Sequence, residues 1–232
     1  MEKDELIDAS PLFSGLSAEG RSRLSGGLVT RTFERDAAVY LRGDEAVAFY
    51  GILQGRVRFS AASIEGKEVV LYSTGPGSWF GEIGLFDAGP RVVDAFAAEA
   101  SVLLVLPRRD LLALCRSESE LLFRVTELFS QRIRMAEDII IDAAFLTLPA
   151  RLAKKLLLLS ADAARCEATA RGVAVRISQD ELGRMTGVTR ESAGKQLKVW
   201  EKEGLVAIEY GRVLLLDPPR LRRIVAAAIG DD

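Results

Sequence analysis

Apolar and polar positions change period along the chain, and each change marks a boundary. The segment from Glu5, ELIDASPLFSGLSAEGRSRLSGG, places Leu12, Phe13, Leu16 and Leu24 as anchors of short helical pieces, with Ser17 ahead of Ala18-Glu19 as a helix cap. From Thr30 to about Leu106 the pattern alternates instead. Runs such as AFYGIL, RVRFS and EVVLYS are separated by Gly43-Asp44, Gln54-Gly55, Glu65-Gly66-Lys67 and Gly75-Pro76-Gly77, and ASVLLVLP (Ala100 to Pro107) reads as a last, buried strand. Several short strands at this spacing predict an antiparallel barrel or jelly roll. Residues 108–146 return to the helical period, with an apolar seam at Leu122, Val125, Phe129, Ile133, Ala136, Ile140 and Ala143. That seam is either an ordinary buried face or a surface for a second copy of the chain.

Thr147-Leu148-Pro149 interrupts this helix. Proline cannot continue a helix but suits a first turn, so Thr147 is expected to cap ARLAKKLLLLSAD and to act as a hinge. After a loop over about 165–172, VAVRI predicts a strand, LVAIEYGRVLLLDP two strands turning at Glu209 to Arg212, and LRRIVAAAI a closing helix. The expected domains are 1–107, a β-roll with N-terminal helices; 108–147, a long helix and hinge; and 148–232, a winged helix-turn-helix. The fold class is α+β.

The most informative stretch is Ser178 to Gly204, SQDELGRMTGVTRESAGKQLKVWEKEG. Ser178 with Glu181 three residues on is a capping-box pattern. A first helix then runs to about Met185, Gly187 supplies the left-handed helix end, and Thr189 caps a second helix with Ala193, Leu197 and Trp200 on its apolar face. Two short helices joined by a Gly-containing turn form a helix-turn-helix. Arg190, Glu191 and Lys195 stay off the apolar face. An Arg there can grip guanine and a Glu can accept from cytosine, while Glu191 and Lys195 also suit a plain i,i+4 surface pair.

The stretch resembles the DNA-binding element of the CRP/FNR family of bacterial transcription regulators. Arg190 and Glu191 match that family's R-E-x-x-x-R reading face, and Lys195 stands where the second arginine is usual, keeping charge without the planar fork. The resemblance implies DNA contacts from Ser178, Gln179, Thr189, Arg190, Glu191, Ser192 and Lys195, with a recognition helix over about 189–202. FGEIGLFDAGPRVVD (Phe80 to Asp94) resembles the phosphate-binding cassette of cyclic-nucleotide-binding domains. It implies a ligand site at Gly81, Glu82, Ile83, Arg91 and Val92, where Glu82 would accept from a ribose hydroxyl and Arg91 would pair with a cyclic phosphate. The effector so implied is cyclic AMP or another cyclic nucleotide. From the residues alone, Glu82 and Arg91 could equally be a surface ion pair. Val92, Val93 and Asp94 depart from the family, since valine offers no hydroxyl and Asp94 brings negative charge toward an anion. Ala136-Glu137 falls where the resemblance places the family's adenine-contacting Thr-Ser pair.

Charge is divided unevenly. Residues 149–232 hold 15 Lys+Arg against 11 Asp+Glu, a net of +4, and the remainder holds 16 against 22, a net of -6. A basic C-terminal module on an acidic N-terminal one suits a nucleic-acid reader. The chain has no histidine, which argues against cupin-type metal enzymes, histidine-ligated haem and Ser-His-Asp or Cys-His catalysis. Cys115 and Cys166 cannot supply the four ligands of the family's iron–sulfur branch, and no metal-ligand spacing occurs. Gly75-x-Gly77 lacks the third glycine of a dinucleotide fingerprint. The acidic N-terminus and the lack of a long apolar run predict a cytoplasmic protein without membrane contact.

These readings converge on a homodimeric regulator of double-stranded DNA rather than an enzyme, with RNA polymerase as a further partner. A nucleotide-sensing module acting through protein partners, or a regulator needing no ligand, are the alternatives.

Overall fold

Two runs of sequence, AFYGILQ and SVLLVLP, are apolar at successive positions because both of their faces are covered. In the computed structural model, which describes residues 2–65, 68–163 and 165–229, they form strands β3 (Ala48–Gln54) and β8 (Ser101–Pro107), paired antiparallel. Alternate residues divide between two cores. Tyr50, Ile52, Leu103 and Val105 face the inside of a roll, while Phe49, Leu53, Leu104 and Leu106 face a helical layer.

The roll is two four-stranded sheets. One has the order β1-β8-β3-β6, with β1 at Val29–Phe33 and β6 at Trp79–Phe80. The other has the order β2-β7-β4-β5, from Ala38–Tyr40, Asp94–Ala97, Val57–Ala62 and Glu68–Thr74 respectively. Gly66 and Lys67, part of one expected turn, lie outside the described residues. The helical layer holds α1 (Lys3–Ala9), a 3-10 turn at Pro11–Phe13, α2 (Ala18–Gly27) capped by Ser17 as expected, and α3 (Arg108–Ser117). The continuous helix expected over 108–146 is instead α3 followed by α4 (Ser119–Phe145), with Glu118 extended between them. Its carboxylate accepts from the backbone N–H and the hydroxyl of Ser17, so a tertiary contact ends the first helix.

The chain divides into two compact units, Met1–Ser63 with Leu71–Met135, and Ile64–Val70 with Ala136–Asp232. The division thus falls within α4 and not at Thr147, because the last turns of α4 are tied to α5 (Leu148–Ser160) by Lys154 donating to Asp142 at 2.5 Å. Thr147 occupies the N-cap position of α5 but its side chain makes no capping bond; Pro149 in the first turn starts the helix.

The C-terminal core joins Leu152, Leu156, Val175, Leu182, Leu197, Trp200 and Leu221. Its sheet, β11-β12-β10-β9, comprises Val206–Glu209, Arg212–Leu215, Gly172–Arg176 and Cys166–Thr169. The last of these strands occupies the expected loop; β9 pairs with β10 over Cys166 to Thr169, though three of its four side chains face solvent. Helix α8 (Pro218–Ile229) closes the unit as expected.

Helices α6 (Gln179–Thr186) and α7 (Arg190–Lys202) meet closely at Gly183, where a Cβ would lie 2.9 Å from the Val188 carbonyl oxygen and 3.2 Å from the Arg190 nitrogen. Both neighbours are backbone and cannot turn away. We expect Gly183→Val to destabilise the C-terminal unit by about 1–3 kcal/mol. Urea unfolding followed through Trp200 in a Trp79→Phe background reports this directly, and an unchanged midpoint would show that the two helices have room to separate.

Candidate nucleic-acid interface and effector cassette

The helix-turn-helix is held by its own ends. Ser178 Oγ accepts from the Glu181 N–H at 3.1 Å, and Thr189 Oγ1 from the Ser192 N–H at 3.1 Å. Only half of the capping box forms, since the Glu181 carboxylate accepts from Arg165 Nη1 at 2.7 Å. Gly187 ends α6 at φ 71°, the left-handed conformation read from the sequence. With Ala193, Leu197 and Trp200 buried, α7 directs Arg190, Glu191 and Lys195 into solvent. Glu191 and Lys195 pair at 2.8 Å with about three quarters of each side chain exposed, while Arg190 has no ion-pair partner among the described residues. Ser192 is half-buried, and Gln179 lies across Gly194, where its Oε1 would be 2.6 Å from an added Cβ.

In the cassette the structure gathers Gly81, Glu82 and Arg91. Gly81 takes the left-handed conformation at φ 87°, and a Cβ there would press on Tyr50 at 3.1 Å and on Arg91 Nη1 at 3.2 Å. Arg91 is buried, only 3% exposed, and points inward. Its Nη1 donates to the Gly81 carbonyl at 2.5 Å and to the Ile83 carbonyl at 3.4 Å, its Nη2 donates to the Ala48 carbonyl at 2.5 Å, and its carbon lies 4.2 Å from the Tyr40 ring centroid. Nε has no acceptor among the described residues. Glu82, also 3% exposed, accepts from Arg132 Nε at 2.9 Å. Arg132 Nη2 donates to the Trp79 carbonyl at 3.1 Å, and its carbon lies 5.3 Å from the Tyr72 ring centroid. Burial pushes the Tyr72 hydroxyl up to about 12, against the lowering effect of Arg132, and burial raises Tyr40 as well. Glu82 and Arg91 are thus not each other's partner and not a surface pair. The side chains of Ile83 and Val92 face solvent. Asp94 accepts from the Arg42 N–H at 2.7 Å.

Residues 30–118 match the cyclic nucleotide-binding domain family, and residues 150–224 match the Crp-like helix-turn-helix domain family. The Cyclic AMP receptor protein of Thermus thermophilus is 30% identical over 94% of this chain and 98% of its own. The chain belongs to the CRP/FNR family of transcription regulators. A CRP-like cAMP-activated global transcriptional regulator of Mycobacterium tuberculosis is 27% identical over 95% of this chain and 98% of its own. The c-di-GMP responsive global regulator CLP of Xanthomonas campestris superposes with a TM-score of 0.77 at 26% identity, covering 86% of this chain and 99% of that one. The β-roll and the helix-turn-helix expected from the sequence are therefore the family's two domains, and the chain is a DNA-binding transcription regulator.

The apolar seam expected on α4 divides between two faces. Val125 is buried in the core of its own chain, and Phe129 packs edge-on against Phe86 there. Leu122, Ile133, Ala136, Ile140 and Ala143 are exposed. Exposed with them are Phe123, Ile141 and Phe145, which the seam omitted. The residue that sequence reasoning missed altogether is Arg132. Its signal was present: it follows Leu121, Val125 and Leu128 at spacings of four, three and four, a cation on the buried row of a helix.

Removing one member of a buried ion pair strands the other's charge. Glu82→Gln and Arg132→Met are each expected to cost about 3 kcal/mol, and the double variant clearly less than their sum. Urea denaturation of the four proteins in a Trp200→Phe background, followed through Trp79, closes the cycle; strict additivity would show that the pair contributes nothing as a pair.

Proposed function

We propose that the chain acts as a homodimer on a pseudo-palindromic operator, with α7 in the major groove and Arg190, Glu191 and Lys195 meeting base edges. The observation that supports this is the solvent-facing, capped start of α7. Its apolar side is fixed in the core, and among the described residues no carboxylate pairs with the Arg190 fork. The Glu191–Lys195 pair does not stand against this reading, because so exposed an i,i+4 pair is worth only a few tenths of a kcal/mol (about 0.3–0.5) and exchanges readily for base or phosphate partners. Ser178, Gln179, Thr189 and Ser192 are the neighbouring polar groups for the sugar-phosphate backbone.

Leu122, Ile133 and Ile140 lie along one line of α4, 11 and 7 residues apart, with Phe123, Ile141 and Phe145 beside them. A helix presenting this much apolar surface suits a twin across a two-fold axis, and a two-fold pair of recognition helices suits half-sites roughly 10 bp apart. Two similar proteins are described as answering to cyclic AMP and to c-di-GMP. Cyclic nucleotides are accordingly the effector class to test against this roll, and RNA polymerase is the protein a regulator of this kind would meet. No helix among the described residues is long and apolar enough to cross a membrane, which suits work in the cytoplasm.

The match of Arg190 and Glu191 to the family's reading face points to a pseudo-palindrome with a guanine-containing, TGTGA-like half-site. On a TGTGA–N6–TCACA duplex, Arg190→Ala should cost ~1–3 kcal/mol per half-site and relax preference at one base pair. Fluorescence anisotropy against single-base operator variants reads this, and an equal loss on scrambled duplex would leave Arg190 with phosphate alone. Ile140→Asp should shift the protein from dimer to monomer in sedimentation equilibrium. An unchanged mass would place the interface elsewhere.

A further inference from the structure

Three of the four tyrosines, Tyr40, Tyr50 and Tyr72, pack into the roll. The fourth, Tyr210, stands at the turn between β11 and β12 with 105% relative exposure. Among the described residues no ring, cation or side-chain hydrogen bond meets it. The turn itself does not call for an aromatic residue. Two-residue hairpin loops favour Asn, Asp or Gly, and here Gly211, at φ 70°, supplies the left-handed position with open space around it. A lone exposed ring is ordinary. What surrounds this one gives it a place to act.

Arg176, at the end of β10, lies directly opposite Arg212 at the start of β12, so the two guanidinium groups share one face of the sheet. Like charges so placed repel unless partners offset them. Arg212 has two: its Nε donates to Glu209 at 2.6 Å, and its Nη1 lies 3.8 Å from Glu167. Arg176 is exposed and has no ion-pair partner among the described residues. Arg176, Glu209, Tyr210, Gly211 and Arg212 together line a shallow groove at this end of the sheet. The same end leads into the helix-turn-helix. Ser178, the cap of α6, follows Arg176 by two residues, a span of at most about 7 Å. The first helix of a helix-turn-helix crosses the nucleic-acid backbone. The groove therefore continues the surface assigned to Ser178 and Gln179.

We propose that the wing tip is a second contact with the DNA backbone, with Arg176 as its charged member and Tyr210 as its uncharged one. Arg212, held by two carboxylates, shapes the hairpin and meets no phosphate. The Tyr210 hydroxyl can donate to a phosphate oxygen while its ring lies on sugar, and Arg176 alone releases counterions. The contact reads no base, so it adds affinity without sequence preference. It rests on the DNA-binding assignment above and not on the half-site.

Anisotropy of the full chain over a salt series tests this, on the TGTGA–N6–TCACA duplex extended by one helical turn at each end and on a scrambled duplex of equal length. Tyr210 lies wholly outside the core, so its variants keep the fold. Tyr210→Ala should weaken binding to both duplexes by about fivefold or more, with an unchanged slope of log affinity against log salt. Tyr210→Lys should steepen that slope by about 1 per subunit, and Arg176→Ala should make it shallower by about as much. An affinity of Tyr210→Ala within about twofold of the wild type, or an unchanged slope for Tyr210→Lys, overturns the proposal. If the wild type does not prefer the operator to the scrambled duplex while both Tyr210 effects persist, the half-site reading fails and the wing contact stands.

Discussion

Where α4 meets the β-roll, two guanidinium groups and one carboxylate are largely withdrawn from water, and the arrangement of the N-terminal unit follows from how they are satisfied. A buried charge is tolerated only when paired or richly hydrogen-bonded. Glu82 and Arg132 pair with each other, which requires α4 to lie against the cassette. Arg91 has no carboxylate, and carbonyls of Gly81, Ala48 and Ile83 with the face of Tyr40 serve instead. Those carbonyls are available because the backbone is fixed around them: Gly81 takes a positive φ, and Arg91 is tied to Asp44 and Gly43 through its own N–H and C=O. The cassette is thus a device for solvating cations with backbone.

The same device explains why β3 and β8 are apolar throughout. A strand with one solvated face would bring water to the back of Arg91. The helical layer covers that back through Phe49, Leu53, Leu104 and Leu106, and the aromatic rings cover the front. Trp79 joins the two regions: its ring packs against Phe13 and Phe49 in the helical-layer core, while its carbonyl accepts from Arg132. The placement of α4 against the roll is therefore set jointly by apolar burial at Leu121 and Val125 and by one charged contact at Arg132.

Much of this was legible in the sequence, and what was not has a common cause. The helix-turn-helix could be read because its determinants are local: Ser178, Gly187 and Thr189 act on backbone within three or four residues. The roll could be read from alternation and glycine spacing for the same reason. The end of α3 at Glu118 could not, because its partner, Ser17, is 101 residues away. Strand β9 escaped because only its backbone is used in the sheet; the side chains of Glu167, Ala168 and Thr169 are exposed and carry no apolar signal. The seam on α4 mixed two faces because one helix carries apolar residues for its own core and others that its own chain leaves uncovered.

The cassette shows where a matching motif stops carrying information. Gly81, Glu82 and Arg91 stand where the resemblance puts them, and the structure brings them together, yet what the two charged groups can bind is decided by residues outside the motif. Tyr40 arrives from β2, Tyr72 from β5 and Arg132 from α4, none within reach of the cassette along the chain. A motif fixes which donors and acceptors are present. What surrounds those groups depends on the volume and charge of what packs against them, and here Tyr40 lies against the Arg91 guanidinium while Arg132, over the Tyr72 ring, meets the Glu82 carboxylate.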